Sequence, residues 1–296
     1  MKTLLTTCFI AILLVSCAQY ARPQTAGPTL LTQENSQRAV AVDSVMLARD
    51  PLPVVARINF NNDHRTRITL FGINMDLLPG ENASAMTATA RDSRSKTYAL
   101  NVDSVRKVPG FDWLTQVIVK LPDGLAQAGD VFVSVTLHGQ TSNEVLVNVE
   151  VQTEPRRATL VARRIVNGVD TYVNAAYSFE HGVNGEGSLS LTRNDWDVLF
   201  GNRPDRDTFL VTMVGDDRSR IVDMGALNWD DSFQVPIVTA HPVPINDVDI
   251  NAIVGHMYVV HTKDTETDLY FLFRVEALDP LKSVTITWKA VRSPEE

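Results

Sequence analysis

Three tryptophans of this chain stand directly beside acidic residues, and these motifs are the closest approach to a chemical site. They are Asp112-Trp113, Asp195-Trp196-Asp197 and Trp229-Asp230-Asp231. A flat indole ring stacks on the apolar face of a sugar, while neighbouring carboxylates accept hydrogen bonds from its hydroxyl groups. The second and third motifs therefore indicate a possible ligand-binding site made of Trp196, Asp195, Asp197, Trp229, Asp230 and Asp231.

Two other interpretations of these motifs compete with sugar binding. If two carboxylates faced each other across a cleft, they could hydrolyse a glycosidic bond, with Asp195, Asp197, Asp230 and Asp231 as the candidate acids. Alternatively, each tryptophan covers the edge of a β-sandwich core and keeps its N–H at the rim, as most tryptophans do. The hydrolase requires the four acids to converge on one cleft, so scattered positions would exclude it.

Other patterns that bind metals or catalyse reactions are incomplete. The acidic run 264–268 begins like a calcium loop, but Leu269 and Val275 occupy the positions that need Gly and Glu. His256 and His261 lie five apart on a predicted strand, so they point to opposite faces. No Gly-x-Ser-x-Gly elbow or phosphate-binding glycine loop occurs. We predict no enzyme, no catalytic residue, no metal and no cofactor, although a triad of distant residues remains open.

The residue pattern at the N-terminus predicts that the protein is exported. Lys2 precedes an apolar run from Leu4 to Val15, which is too short to span a bilayer but suits a signal peptide covering residues 1–17. The tetrapeptide Leu14-Val15-Ser16-Cys17 then resembles the lipobox of bacterial lipoproteins, which implies that the Cys17 thiol is acylated. With no Asp after the cysteine, the resemblance implies the outer membrane if the source is Gram-negative. The alternative is ordinary cleavage after Ala18 or Ala21 and a freely secreted protein.

The amino-acid composition argues against some classes of partner and favours one cellular compartment. The net charge of −8 and the lack of clustered Lys and Arg argue against nucleic acid. The two cysteines, Cys8 and Cys17, both lie in the export segment, so the mature chain has no disulfide and no thiolate metal site. A disulfide-free exported protein of this size suits a bacterial envelope better than an animal extracellular space.

The distribution of polar residues and turn signals divides the rest of the chain. Residues 18–51 are rich in Gln, Ala, Thr, Ser and Pro, which predicts a flexible tether. Residues 52–152 contain seven short apolar segments separated by turn signals, the pattern of an immunoglobulin-like β-sandwich. The clearest segment, 131–137, alternates strictly, so Val131, Val133, Val135 and Leu137 should share the buried face. The other predicted strands are 54–60, 67–73, 85–90, 98–105, 114–121 and 145–151.

Turn motifs in this region resemble the IPT/TIG type of immunoglobulin-like domain. A strand enters the Gly72-Ile73-Asn74 turn, and later come a Gly129-Asp130 turn and a Ser142-Asn143 turn. The resemblance covers about residues 53–151 and implies a structural or adhesive module. It implies no catalytic residue.

The sequence pattern of residues 157–296 predicts a second β-rich domain. Predicted strands are 160–166, 171–179, 187–191, 209–214, 234–238, 257–261, 269–275 and 284–288, with a short helix at 195–200. The segments 255–262 and 268–275 resemble a hairpin of β-rich domains in uncharacterised exported bacterial proteins. The chain is therefore predicted to be all-β and non-catalytic, with a binding or structural role in the cell envelope. Its expected partners are a membrane, through the lipid anchor, and an unknown surface protein or carbohydrate.

Overall fold

The computed structural model describes residues 26–56, 58, 60–61, 63–170, 172–180, 182–184, 196–211, 219–238, 249–263 and 267–294. These residues form an all-β, sandwich-type protein built from antiparallel sheets, which confirms the predicted fold class. Helical turns in the described residues are limited to Tyr172–Ala175, Ala83–Ala85 and Asp123–Leu125. Within the same residues, no helix combines the length and hydrophobicity that crossing a lipid bilayer requires.

The first β region contains nine strands. They are β1 (Thr29–Leu30), β2 (Ala41–Asp43), β3 (Arg67–Ile73), β4 (Met86–Arg91), β5 (Thr97–Val108), β6 (Phe111–Lys120), β7 (Gly129–Leu137), β8 (Gln140–Thr141) and β9 (Val145–Val149). The hydrogen-bonded order is β1-β3-β6-β5-β4-β7-β8, with β2 also on β3 and β9 also on β7. Strand β5 pairs with β4 through its first half and with β6 through its second half, so it passes from one layer to the other.

Alternating apolar side chains form the core of this region. Val131, Val133, Val135 and Leu137 are buried, as the alternation predicts, and they pack with residues of β3 and β6 such as Leu70. Each second side chain of β7 points away from the core because successive side chains of a strand face opposite sides.

The structure corrects the predicted tether over its described part, residues 26–51. Strand β1 pairs with the end of β3 and β2 pairs with its beginning, so both belong to the first sandwich. Leu30 is 2% exposed and Ala39 is 4% exposed in the same core. The segment was predicted to be a tether because its strands are only two and three residues long, too short to show a period.

The described residues of the second β region form twelve strands. They are β10 (Arg156–Val161), β11 (Ile165–Val166), β12 (Val169–Asp170), β13 (Ala176–Ser178), β14 (Val183–Asn184), β15 (Val198–Phe200), β16 (Thr208–Val211), β17 (Arg220–Ala226), β18 (Ile250–Asn251), β19 (His256–Lys263), β20 (Asp268–Asp279) and β21 (Ser283–Val291). One sheet has the order β10-β21-β20-β19-β17 and the other β14-β13-β15-β16-β18, while β11 and β12 form a separate hairpin.

Aromatic rings fill the space between these two sheets. Phe179 stacks on Phe271 and on Phe273, and Trp288 meets Phe179 edge to face. Strands β19 and β20 are buried on both faces because residues 227–238 cover the outer face of their sheet. Buried apolar residues therefore run continuously along β20 instead of alternating.

Several predicted elements differ from the observed ones. Residues 198–200 form β15 where a short helix was predicted, because Val198 and Phe200 face the aromatic core. The described part of 54–60 makes single hydrogen bonds and one isolated bridge instead of a strand. Residues 234–238 are not a strand but part of the covering segment. The predicted strand 187–191 lies outside the described residues.

Candidate functional site

The second tryptophan motif lies on the outer face of the sheet that contains β15. Trp196 is half-buried and packs with Ala175, Ala176 and Leu199, on the side opposite the aromatic core. Asp197 is 8% exposed, and its Oδ2 accepts the backbone N–H groups of Phe179 at 2.6 Å and Glu180 at 3.3 Å. This carboxylate therefore holds neighbouring backbone in place and does not face a ligand. Asp195 lies outside the described residues.

The third motif lies on the outer face of the other sheet. Trp229 packs on the cluster that contains Met257 and Val259, and its indole N–H donates to Thr287 Oγ1 at 3.0 Å. The ammonium of Lys289 lies 5.0 Å from the ring centre. Asp231 accepts the backbone N–H of Asn228 at 2.6 Å and closes a turn, while Asp230 is exposed.

The two motifs are therefore not neighbours. Trp196 and Trp229 cover the two opposite outer faces of the second β region, with both sheets between them. The described acids Asp197, Asp230 and Asp231 do not converge on one cleft, which was the condition for a glycosidase built from these motifs. The hydrogen bond of Trp229 instead agrees with the interpretation that tryptophans cover the core and keep the N–H at the rim.

A buried cluster of charges joins the two β regions. The guanidinium of Arg65 is 3% exposed; its Nη2 lies 2.9 Å from Asp123 Oδ2, and its Nη1 lies 2.5 Å from Glu180 Oε1. Thr267 Oγ1 donates to Glu180 Oε2 at 3.2 Å, and the backbone N–H of Asp268 donates to Asp123 Oδ2 at 2.6 Å. Because Arg65 and Asp123 belong to the first region and the others to the second, this Arg65 cluster connects them directly.

Burial and ion pairing act in opposite directions on the pKa values of Arg65 and Asp123. Burial disfavours a charged guanidinium, but the carboxylates of Asp123 and Glu180 raise the pKa of Arg65 above its ordinary value. Burial also raises the pKa of Asp123, and the hydrogen bonds from Arg65 act in the opposite direction. A second inter-region ion pair joins Arg292 to Asp92, which also accepts the hydroxyl of Tyr98 at 2.9 Å.

The junction contains a polar cleft of about 550 Å³, a volume typical of ligand sites, which often lie between domains. The first region contributes Arg94, Ser95 and Lys96 from the β4–β5 turn, and the second contributes Ile237, His261, Lys263, Asp268, Tyr270, Ser293 and Pro294. His261 is fixed there: its Nε2 lies 2.8 Å from Asp268 Oδ1, its Nδ1 lies 2.9 Å from the Val238 carbonyl oxygen, and its ring stacks on Tyr270. Burial acts to raise the pKa of Asp268, but hydrogen bonds from His261 and Lys263 lower it below its ordinary value.

A smaller cavity of about 90 Å³ lies nearby, lined by Val54, Gln127, Gln152 and Arg156 among others. Its volume is far below the roughly 300 Å³ at which ligand pockets begin. Gln152 crosses this junction, since its backbone N–H donates to Gln127 Oε1 at 2.6 Å and its Oε1 accepts the Ala290 N–H at 3.2 Å.

The first region also exposes an aromatic tip, defined as Phe111 and Trp113 at the β5–β6 turn. Phe111 is 51% exposed and Trp113 is 60% exposed, and their rings meet edge to face at 6.2 Å. The sequence motif Asp112-Trp113 pointed to this turn, but Phe111 was missed because exposure cannot be read from an isolated aromatic residue.

His256 and His261 lie on opposite faces of β19, as their spacing predicts, and His256 Nδ1 pairs with Asp223 at 2.9 Å. In the described part of the chain, no group of three or more His, Cys, Asp or Glu side chains could hold a metal ion. The resemblance of the first region to IPT/TIG domains stays a prediction. No family model, no curated protein and no solved structure matches this chain.

Proposed function

We propose that this chain is an exported, non-catalytic protein of the cell envelope that binds a partner through its two β regions acting as one rigid body. The observation that supports this proposal is the Arg65 cluster, in which one guanidinium from the first region meets buried acids of both regions. Breaking such a buried pair costs several kcal/mol, so the two regions keep a fixed orientation.

The polar cleft supports a binding role. It takes side chains from both regions, so its shape depends on their fixed orientation. Arg94 and Lys96 line it beside the Lys263–Asp268 ion pair, in a protein whose net charge is −8, which favours an anionic group on the partner. Asp268 and the stacked His261–Tyr270 pair supply hydrogen-bonding and aromatic surfaces beside these cations.

Charge reversal in the cleft tests the binding role. Lys96 lines the cleft, whereas Lys282 is an exposed lysine of the second region paired with Asp279. We expect sulfated or uronic-acid oligosaccharides to raise the melting temperature of the wild-type chain and of Lys282→Glu. Lys96→Glu should lose that shift. The absence of a shift with every anionic ligand, or an equal shift in Lys96→Glu, would contradict an anion-binding cleft.

The envelope location depends on Cys17 and is tested separately. Cys17→Ala should abolish acylation of the mature N-terminus, detected by mass spectrometry, and should remove the protein from the membrane fraction. Cys8→Ala is the matched control because Cys8 lies inside the apolar run and should leave acylation unchanged. An unmodified wild-type N-terminus at Gln19 or Arg22 would show free secretion instead.

The second candidate function, a carbohydrate-active protein using the tryptophan motifs, has lost its geometric support among the described residues. Its test is direct: soluble polysaccharides incubated with the protein should release no new reducing ends. If they did, and if Asp230→Asn or Asp197→Asn abolished the release, the chain would be a glycoside hydrolase and the non-catalytic proposal would fail.

A further inference from the structure

The aromatic tip lies at the end of the first region that points away from the second region, which we call the far end. Gly72, near the end of β3, pairs with Thr115 of β6. Trp113 of the tip precedes Thr115 by two residues and so lies beyond this pair, outside the paired part of β3 and β6. At the opposite end, Arg67 pairs with Lys120, close to the Arg65 cluster. The ten residues of β6 span about 33 Å, so the tip lies far from the junction.

The backbone raises the tip out of the sheet. Lys107 pairs with Thr115 but Val108 pairs with Phe111, so residues 112–114 have no partner on β5. This bulge, together with Gly110 at φ +82°, turns the Trp113 ring toward solvent. Leu78, 58% exposed, lies in the β3–β4 connection at the same far end. Phe111, Trp113 and Leu78 are thus large apolar side chains exposed at the same end of the first region, and none of them belongs to its buried core.

The first described residues of the chain lie at this same end. Thr29 pairs with Ile73, and Asn74 Nδ2 donates to the Gly27 carbonyl oxygen at 3.3 Å. Ala26 lines a cavity of about 320 Å³ with Asn74, Asp76, Leu78 and His138. Asp76 also forms an ion pair with Lys107, which precedes the tip by a few residues. Ala26 and the aromatic tip therefore lie at the same end of the first region.

The length of chain before Ala26 limits how far this end can lie from an anchor. Ala26 is nine residues after Cys17, and nine extended residues reach about 30 Å at most. An acyl chain on Cys17 lies in the bilayer, so the far end must stay within that distance of the membrane surface. The second region lies beyond the opposite end of the first, so it would face away from a bilayer that the far end contacts.

Exposed aromatic side chains suit this position. Tryptophan prefers the membrane–water interface because its ring is apolar while its N–H still finds a polar partner. Asp112 and Lys107 lie beside the tip, so their charged groups would contact the lipid headgroups when the aromatic rings enter the interface. We propose that the far end docks on the lipid bilayer, with Phe111, Trp113 and Leu78 in the interfacial layer. This inference rests on the proposed envelope location.

Fluorescence quenching tests the docking directly. The acylated full chain is reconstituted in phosphatidylethanolamine–phosphatidylglycerol vesicles with or without brominated acyl chains. We expect brominated lipid to quench part of the tryptophan emission, and Trp113→Phe to remove that quenched part. Trp229→Phe is the matched control, because Trp229 is half-buried in the second region and should leave the quenched part unchanged. Equal quenching in wild type and Trp113→Phe would overturn the proposal.

Vesicle flotation separates docking from anchoring. The chain from Ala18 onward keeps every described residue but lacks the acylated cysteine. Its partition into vesicles should fall about tenfold in Phe111→Ala/Trp113→Ala, which corresponds to about 1.4 kcal/mol. The control pair Ile165→Ala/Val169→Ala in the β11–β12 hairpin, whose side chains are even more exposed, should not change it.

The outcomes distinguish the two proposals. Vesicle partition by the tip without acylation of wild-type Cys17 would reject the lipid anchor and keep the docking. Acylation with no partition and no quenching of Trp113 would reject the docking and keep the anchor. A concentration-dependent dimer that Trp113→Ala abolishes, with no effect of vesicles, would identify the tip as a contact with a second copy and would also overturn membrane docking.

Discussion

The two β regions fill their cores with different kinds of side chain. In the described part of the first region, the buried cluster is aliphatic, with Val117, Val133 and Leu70 as typical members. In the second region, the space between the sheets is filled by interlocked rings such as Phe209, Phe273 and Tyr258. The most exposed aromatic side chains of the first region, by contrast, lie outside its core: Phe60, Phe111 and Trp113.

This difference shows how much a core depends on particular partners. β-Branched residues on alternate positions fill a sandwich with few specific contacts, because each packs against whatever apolar surface lies opposite. The rings of the second region need defined neighbours and hydrogen bonds, such as the one from Trp288 Nε1 to Tyr177 Oη at 3.0 Å. The first core should therefore tolerate substitution better than the second, while the exposed Phe111 and Trp113 are available for binding at the far end.

The largest expected effect concerns the boundary of the first region. A fragment of residues 26–152 should fold with a β-type circular dichroism spectrum and a cooperative melt. A fragment of residues 52–152 should not, because it lacks β1, β2 and the buried Leu30 and Ala39. An unfolded 26–152 fragment would show that the two regions share one folding unit. Equal stability of both fragments would show that β1 and β2 are dispensable.

Truncation of a core residue compares the two cores. Trp288→Ala should lower the free energy of unfolding by about 5 kcal/mol, the top of the usual range, since it also removes the hydrogen bond from Trp288 to the Tyr177 hydroxyl. Leu70→Ala in the first core should cost about 3 kcal/mol. Trp113→Ala is the control and should change stability by less than about 0.5 kcal/mol, because its side chain is exposed. Urea denaturation of the full chain measures all three, and equal losses for Trp288→Ala and Leu70→Ala would contradict the comparison.

Removal of Arg65 tests the connection between the regions. Arg65→Met should cost about 3 kcal/mol because Asp123 and Glu180 stay buried without their cation. Calorimetry should then resolve two transitions where the wild type shows one. Arg163→Met, which breaks the half-exposed pair with Asp170, should cost under about 1 kcal/mol and keep one transition. If Arg65→Met/Asp123→Asn/Glu180→Gln failed to recover any stability, uncompensated charge would not be the cause.

The smallest effect is the response of the first region to acid. Burial acts to raise the pKa of Asp63, but hydrogen bonds from Arg67, the Arg65 backbone amide and Lys120 lower it below its ordinary value of 3.8. A pKa lowered by folding contributes stability that is present above pH 3.8 and is lost as pH falls through the folded-state value. The melting temperature of wild type should therefore fall below about pH 4, and Asp63→Asn should flatten this decline. An unchanged slope would assign the acid sensitivity to other carboxylates.

The sequence by itself determined the class of fold and most long strands. Segments 131–137 and 284–288 appear as β7 and most of β21, because alternation over several residues reports which face of a strand is buried. Segment 67–73 appears as β3, although three successive residues, 68–70, are buried there. The spacing of His256 and His261 also placed them on opposite faces, since a strand repeats every two residues. These are local properties that a few neighbouring residues decide.

Only the tertiary structure decided where the short strands and the charged residues go. β1 and β2 are strands because β3 offers them a partner more than twenty residues away in sequence, and no local period announces that pairing. Arg65 meets Glu180 across 115 positions, and Trp196 and Trp229 lie on opposite faces because two separate sheets stand between them. A residue type reports what a side chain can bind, but the distance between two such side chains is fixed by the packing of the sheets that carry them.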